Sequence, residues 1–324
     1  KNKKKKEGLF FFFLFFTLFL MFYTPFIIVD SRLDLNIDPI NTFKKYFYTW
    51  NQQLSFGQNY AVMSPYIFPL GFFYLIFYSL FNNIYITQSL IYSLFLLIGF
   101  YSFVKLAKEE FNSKPIHNYI GGLLYIFNLY ILTNITGAYF NLTLPYLILP
   151  LQLVLLKHIC LSKNYLKNIF YFSFATLFMG GINPPLVAIN LIVMLIYSIN
   201  LFFKYHLEKE KKSLCLRLLI CFFVTVAVNF YWITAVLYHW VGISTEEMNT
   251  TLSEPLSMHN SVSSYLNIFR TLGLWAFGEG YGGTPYFNYA SVYLENPLWI
   301  LTMYLLPCIC IGSILLKKKN KQAA

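Results

Sequence analysis

Long runs of hydrophobic residues alternate with short polar segments along most of this chain. Several runs reach the roughly 20 residues that a helix needs to cross about 30 Å of hydrocarbon. Glycine and proline end helices, so Gly180–Pro185 divides one long stretch into two. The pattern predicts an all-α polytopic membrane protein with eight transmembrane helices, at about residues 8–29, 86–105, 115–134, 143–159, 168–182, 184–204, 214–238 and 296–316.

A further apolar segment, Phe68–Phe81, is too short to be counted with these spans and begins behind two prolines. If it crossed the membrane, most of the later basic loops would move to the other side. A helix lying at the outer interface fits the charge pattern better. Two long outer loops are then predicted, at about residues 30–85 and 239–296.

The charged residues give the predicted orientation. The chain is 57% hydrophobic and 11% charged, with a mean hydropathy of +0.55 and a net charge of +11. With the amino terminus in the cytoplasm, 20 of the 24 basic residues fall in inner segments, and outside remain Arg32, Lys44, Lys45 and Arg270. Basic residues at the inner ends of spans are typical of membrane topology, so this charge does not indicate nucleic acid.

The domain organisation predicted from these patterns is simple. We expect a transmembrane module over residues 1–316 and a basic cytoplasmic tail over residues 317–324. The sequence begins at Lys1 rather than methionine and ends in a polar tail. We therefore expect a piece of a longer protein.

The first outer loop contains the most informative charged residues. Asp30 and Asp34 lie four positions apart, so in a helix or an extended strand they would point to one side. A carboxylate in a partly dehydrated cavity works as a general base, and two of them could hold a divalent cation such as Mg²⁺ or Mn²⁺. Hydrated charges flanking a helix end are the alternative.

The outward basic residues are candidate ligands for an anion. Arginine presents paired N–H donors and lysine a point charge to phosphate oxygens. Arg270, Lys44, Lys45 and Arg32 are therefore candidate ligands for the phosphate of a lipid-linked donor. Contact with lipid head groups is the alternative for the lysines.

Trp50, Asn51 and Gln58 combine a flat aromatic face with amide donors and acceptors. Sugars are bound by this combination, because their C–H faces stack and their hydroxyls form hydrogen bonds. Tryptophan at a membrane interface without any ligand is the alternative.

Several of these residues belong to an ordered set of motifs that closely resembles the amino-terminal membrane module of the α-(1→3)-arabinofuranosyltransferase family. The segments are Asp30-Ser31-Arg32-Leu33-Asp34-Leu35, Asp38-Pro39, Trp50-Asn51, Phe56-Gly57-Gln58 and Phe68-Pro69-Leu70-Gly71-Phe72-Phe73. Ser31 and Arg32 stand where the family usually has threonine and lysine.

The resemblance implies a glycosyltransferase of the GT-C fold in the plasma membrane. Such an enzyme takes a sugar, here arabinofuranose-like, from a polyprenyl-phosphate donor and adds it to a cell-envelope glycan on the extracytoplasmic face. It also implies that Asp30 is the catalytic base of an inverting transfer, with Asp34 next to it.

A non-enzymatic membrane protein is the competing hypothesis, either a transporter of lipid-linked glycans or an assembly partner. Transporters place polar groups at mid-membrane and often contain broken helices. The hydrophobic runs contain almost no ionisable residue, and the acids collect in outer loops. This distribution favours chemistry at the outer surface.

Overall fold

The structure is a computed structural model that describes most of the chain. The residues described are 2–22, 33–48, 50–51, 58–59, 66–111, 114–136, 140–179, 184–205, 208–242, 264–270, 277 and 290–322. They fall into two compact units. The first contains residues 1–127 and 134–240, and the second contains residues 128–133 and 241–324.

The described part is overwhelmingly helical, which confirms the predicted fold class. Its helices are α1 (Asn2–Phe22), α2 (Leu33–Ile37), α3 (Pro39–Tyr46), α4 (Phe72–Phe81), α5 (Ile84–Phe111), α6 (Pro115–Ile126), α7 (Leu129–Thr136), α8 (Phe140–Leu161), α9 (Tyr165–Leu177), α10 (Pro184–Tyr205), α11 (Glu208–Gly242), α12 (Tyr265–Phe269), α13 (Ala290–Glu295) and α14 (Pro297–Gln322). A π-helical turn, Tyr66–Gly71, leads into α4. Two short strands, β1 (Trp50–Asn51) and β2 (Gln58–Asn59), form one antiparallel pair.

The membrane character rests on the long apolar helices. Among the described residues, 4 helices are long and apolar enough to cross a bilayer: Ile84–Phe111, Leu142–Leu161, Leu186–Phe203 and Ser213–Tyr238. Three shorter apolar helical segments accompany them, and Phe68–Phe81 is one of these. The total of eight spans stays a prediction.

Two neighbouring asparagines mark helix ends that the hydropathy pattern does not resolve. Asn82 adopts a left-handed conformation (φ 46°) that ends α4, and the side chain of Asn83 accepts hydrogen bonds from Tyr85 N and Ile86 N to start α5. Asparagine tolerates both roles better than most residues.

The predicted span 115–134 is not one continuous helix, and this prediction was wrong. α6 ends at Ile126, and the Asn128 side chain accepts a hydrogen bond from Ile131 N at 3.0 Å to start α7. Asn128 therefore caps a new helix inside an apolar run, which hydropathy alone treats as uniform.

In the first unit, α5 packs against α1, α4, α6 and α8. Small residues allow the closest approaches. A Cβ added to Gly99 would lie 2.9 Å from a Leu147 side-chain atom on α8, and one added to Gly122 on α6 would lie 2.9 Å from Phe100 and Val104. Close backbone approach at small residues is typical of helix packing in membranes.

The helix ends predicted to face the cytoplasm meet in a polar cluster. Lys157 Nζ on α8 lies 2.8 Å from Glu110 Oε1 on α5, and Tyr197 OH on α10 donates to the same oxygen at 2.6 Å. Beside them, His158 Nε2 lies 3.0 Å from Glu109 Oε1. The Arg217 guanidinium donates to three carbonyl groups at the end of α8 and lies over the Tyr165 ring.

Candidate functional site

The described part of the predicted first outer loop begins with two short helices. Asp34 lies in α2, is half-buried, and accepts a hydrogen bond from Leu35 N through Oδ1 at 3.0 Å. Its second carboxylate oxygen makes no hydrogen bond to a described residue. Asp34 is thus locally oriented, with one oxygen left for a substrate hydroxyl or a cation. Asp30 and Arg32 lie outside the described residues.

Asp38 starts α3 as its N-cap, directly before Pro39 at the first helical position. Its two oxygens accept hydrogen bonds from Asn41 N at 3.0 Å and Asn41 Nδ2 at 2.6 Å. The backbone donor of Asn41, followed by its side chain, holds the pKa of Asp38 below its ordinary value. These contacts give Asp38 a structural role that the sequence pattern did not assign to it.

Lys44 and Lys45 lie in the last turn of α3, and both are exposed. The Lys45 ammonium lies 5.2 Å from the centroid of the Tyr46 ring, and the charge of Lys44 helps to lower the pKa of Asp38. Neither lysine forms an ion pair within the described residues. Both cations are therefore available to an anion that approaches the α2–α3 segment.

A buried polar cluster fixes α2 against the helices behind it. The Oδ1 atom of Asn36 accepts hydrogen bonds from Tyr74 OH on α4 at 2.9 Å and from Gln88 Nε2 on α5. Asn36, Tyr74 and Gln88 are all buried, at 2%, 0% and 1% exposure. We call these three residues the Asn36 cluster.

Sequence reasoning missed the Asn36 cluster. The available signal was the polar triplet Thr87-Gln88-Ser89 near the start of a long apolar helix. All three side chains are buried. A buried polar group must find a hydrogen-bond partner, so such a triplet indicates a polar neighbour. The pattern does not say that the neighbour is Asn36.

The π-helical turn before α4 is held by α11. Tyr231 OH donates to the carbonyl oxygen of Phe68 at 2.7 Å, and the two rings lie 5.9 Å apart with an edge-to-face geometry. Phe72 in turn contacts Phe43 of α3 at 5.1 Å between ring centroids. The Asn36 cluster thus holds α2 against α4 and α5. Tyr231 of α11 holds the π-helical turn before α4 by a hydrogen bond and a ring contact.

The predicted sugar-binding residues fall on the strand pair. Asn51 is directly opposite Gln58 in the antiparallel register, and Trp50 is opposite Asn59. The fold therefore brings the backbones of Asn51 and Gln58 together across 6 intervening residues of sequence.

Arg270 lies in the second unit, at the end of α12. Its Nε and Nη2 atoms donate to Asn267 Oδ1 at 3.0 and 2.6 Å, and Nη1 donates to the Tyr293 carbonyl at 3.0 Å. Burial lowers the pKa of Arg270 from its ordinary value. Both acceptor atoms are neutral, so within the described residues the positive charge has no carboxylate partner.

The described residues do not by themselves form a metal centre. No three histidine, cysteine, aspartate or glutamate side chains gather there in a way that could hold an ion. Asp34 can supply an oxygen ligand, but a cation site would need further donors. The metal prediction for Asp30 and Asp34 stays a prediction.

Residues 14–242 match the family model described as α-(1→3)-arabinofuranosyltransferase, N-terminal GT-C domain. The chain belongs to this family. The match runs from the second half of α1 to the end of α11, and therefore includes the Asn36 cluster and the α2–α3 segment.

Two individual relatives carry the same name. The α-(1→3)-arabinofuranosyltransferase of Mycolicibacterium smegmatis is 31% identical over 121 residues, which are 37% of this chain and 8% of that protein. The α-(1→3)-arabinofuranosyltransferase of Mycobacterium tuberculosis is 28% identical over 121 residues, 37% of this chain and 9% of that protein. The matched region is thus less than a tenth of either relative. No solved structure matches the chain.

Proposed function

We propose that this protein is a membrane glycosyltransferase. It moves an arabinofuranose-like sugar from a polyprenyl-phosphate donor to a cell-envelope glycan on the extracytoplasmic face of the plasma membrane. Membership of the GT-C family, with its named relatives, is the observation that carries the proposal. The α2–α3 segment supports it, because Asp34 is held by Leu35 N through one oxygen and its other oxygen bonds to no described residue.

The proposed reaction is an inverting displacement. The oxygen of an acceptor hydroxyl attacks the anomeric carbon while the bond from that carbon to the phosphate oxygen breaks. Asp30 takes the hydroxyl proton as general base, and the polyprenyl phosphate leaves with the bonding electrons. Asp34 orients the base or the acceptor hydroxyl.

The leaving phosphate needs positive charge near it. Lys44 and Lys45 are exposed at the end of α3 and supply point charges. Arg270 has five N–H groups, of which three are used by Asn267 and Tyr293, so two remain for phosphate oxygens. Trp50, Asn51 and Gln58 are proposed to contact the sugar.

The test is transfer of labelled sugar from polyprenyl-phosphate donors to an oligosaccharide acceptor. Membranes containing the full-length wild-type protein are compared with those containing Asp30→Asn. A catalytic base contributes about 10²–10⁴-fold, so transfer should fall by at least about 100-fold.

Asp38→Asn is the matched control, because it removes a carboxylate from the same loop but keeps an oxygen for the α3 cap. It should transfer sugar like the wild type. Equal transfer by Asp30→Asn would remove Asp30 from the mechanism. No transfer by the wild type with any donor would favour the transporter or partner hypothesis.

A further inference from the structure

The Asn36 cluster joins three elements that are distant in sequence. Asn36 lies 38 residues from Tyr74 and 52 residues from Gln88. Both donors converge on a single acceptor, the Oδ1 atom of Asn36. An amide oxygen has two lone pairs, so the two bonds saturate it and fix the direction of the side chain.

The helix that carries Asn36 has few other means of holding its place. α2 contains 5 residues, and an isolated helix of this length is not stable in water. Two neighbouring side chains anchor it: Leu35 is 2% exposed and Asn36 is equally buried. Asp34 directly precedes this anchored pair, and Leu35 N donates to its carboxylate.

Gln88 adds a second indication that the cluster is specific. Its Oε1 atom is buried and accepts no hydrogen bond from the described residues. An acceptor left in this way costs free energy, which an apolar residue at position 88 would avoid. Glutamine is therefore not explained by helix packing, whereas the bond from its Nε2 atom to Asn36 requires a hydrogen-bond donor at this position.

We propose that Asn36, Tyr74 and Gln88 are positioning residues that hold α2, and with it the Asp34 carboxylate, against α5 and α4. The catalytic part of this inference rests on the proposed function. None of the three touches substrate. They act through Asp34, by fixing the helix on which it lies.

The first experiment measures hydrogen exchange in full-length protein in lipid nanodiscs, with peptides that cover residues 33–38. Tyr74→Phe removes one bond to Asn36, and Asn36→Leu removes both. Tyr78→Phe is the matched control, because it makes the same change one turn later in α4, where no hydrogen bond of the hydroxyl joins it to a described residue. Exchange in α2 should rise about fivefold in Tyr74→Phe, more in Asn36→Leu, and stay unchanged in Tyr78→Phe.

The second experiment measures sugar transfer by the same variants, corrected for the amount of folded protein. Tyr74→Phe should lower kcat about tenfold with the KM for the donor unchanged. In the Asn36→Leu background, Tyr74→Phe should have a smaller further effect than in the wild type, because the Asn36 acceptor of the hydroxyl is already gone. The acid limb of the pH profile of kcat should also move in Tyr74→Phe, since the surroundings of the carboxylates change. A loss of folded protein would lower the rate at every pH by the same factor and leave the position of the acid limb unchanged.

The outcomes separate the two claims. Unchanged exchange in α2 for both Tyr74→Phe and Asn36→Leu would overturn the positioning role. Faster exchange in α2 with wild-type kcat and an unmoved pH profile would overturn its link to catalysis. If the wild type transfers no sugar while Tyr74→Phe still loosens α2, the proposed function fails and the anchoring of α2 stands.

Discussion

Lys157 Nζ lies 2.8 Å from Glu110 Oε1, with the two side chains only 10% and 17% exposed. The pair joins α5 to α8 at the ends predicted to face the cytoplasm, and Tyr197 adds α10. Removing one member of a buried ion pair leaves the other charge without compensation. Glu110→Gln should therefore destabilise the protein by about 3 kcal/mol.

Thermal unfolding in detergent measures this effect through the reaction of a thiol-specific dye with the buried Cys160 and Cys221. Glu109→Gln is the neighbouring control. The Glu109–His158 pair is more exposed, at 24% and 31%, and should contribute less than about 1 kcal/mol. Glu110→Gln combined with Lys157→Met should recover part of the loss. Equal losses of stability in Glu110→Gln and Glu109→Gln would contradict the larger contribution expected of the Lys157–Glu110 pair.

Gly99 sets the distance between α5 and α8. A Cβ at this position would lie 2.9 Å from the Leu147 side chain and 3.2 Å from its carbonyl oxygen, and the backbone cannot easily move away. Gly99→Ala should cost about 1–3 kcal/mol through overpacking. Gly312→Ala in α14 is the control, because no atom of the described residues lies within 4 Å of the added Cβ. The measurement is the unfolding temperature of each variant. A wild-type unfolding temperature for Gly99→Ala would show that α5 and α8 can move apart without loss of stability.

Asp34→Asn keeps an oxygen that can accept the hydrogen bond from Leu35 N, so it removes charge with little change in geometry. We expect transfer to fall by about 10–100-fold, as is usual when a group that orients a catalytic residue is lost. The measurement is kcat for labelled-sugar transfer, with Asp38→Asn beside it. A larger loss than in Asp30→Asn would exchange the roles of the two aspartates.

Arg270→Lys tests both roles of the guanidinium. Lysine cannot reproduce the fork that reaches Asn267 and the Tyr293 carbonyl together. Hydrogen exchange across α13, residues 290–295, should increase. If Arg270 also binds the donor phosphate, the donor KM should rise about tenfold, equivalent to the 1.4 kcal/mol of a tenfold change in affinity. Faster exchange with an unchanged KM would limit Arg270 to the structural role.

Much of the fold follows from short-range patterns that the sequence displays directly. Apolar runs predict helices because every backbone polar group must be satisfied inside a bilayer. Gly180–Pro185 predicts that α9 and α10 are separate helices, and the structure has them as two. Motif order alone indicated the family. Each of these signals consists of residues that are close together in the sequence, within a few positions or one helix length.

Other features depended on tertiary structure. Asn36, Tyr74 and Gln88 meet across 38 and 52 residues, and Lys157 meets Glu110 across 47. No local pattern encodes such distances. They arise from the way α5 packs against its neighbours, which buries polar side chains and obliges each of them to find a partner.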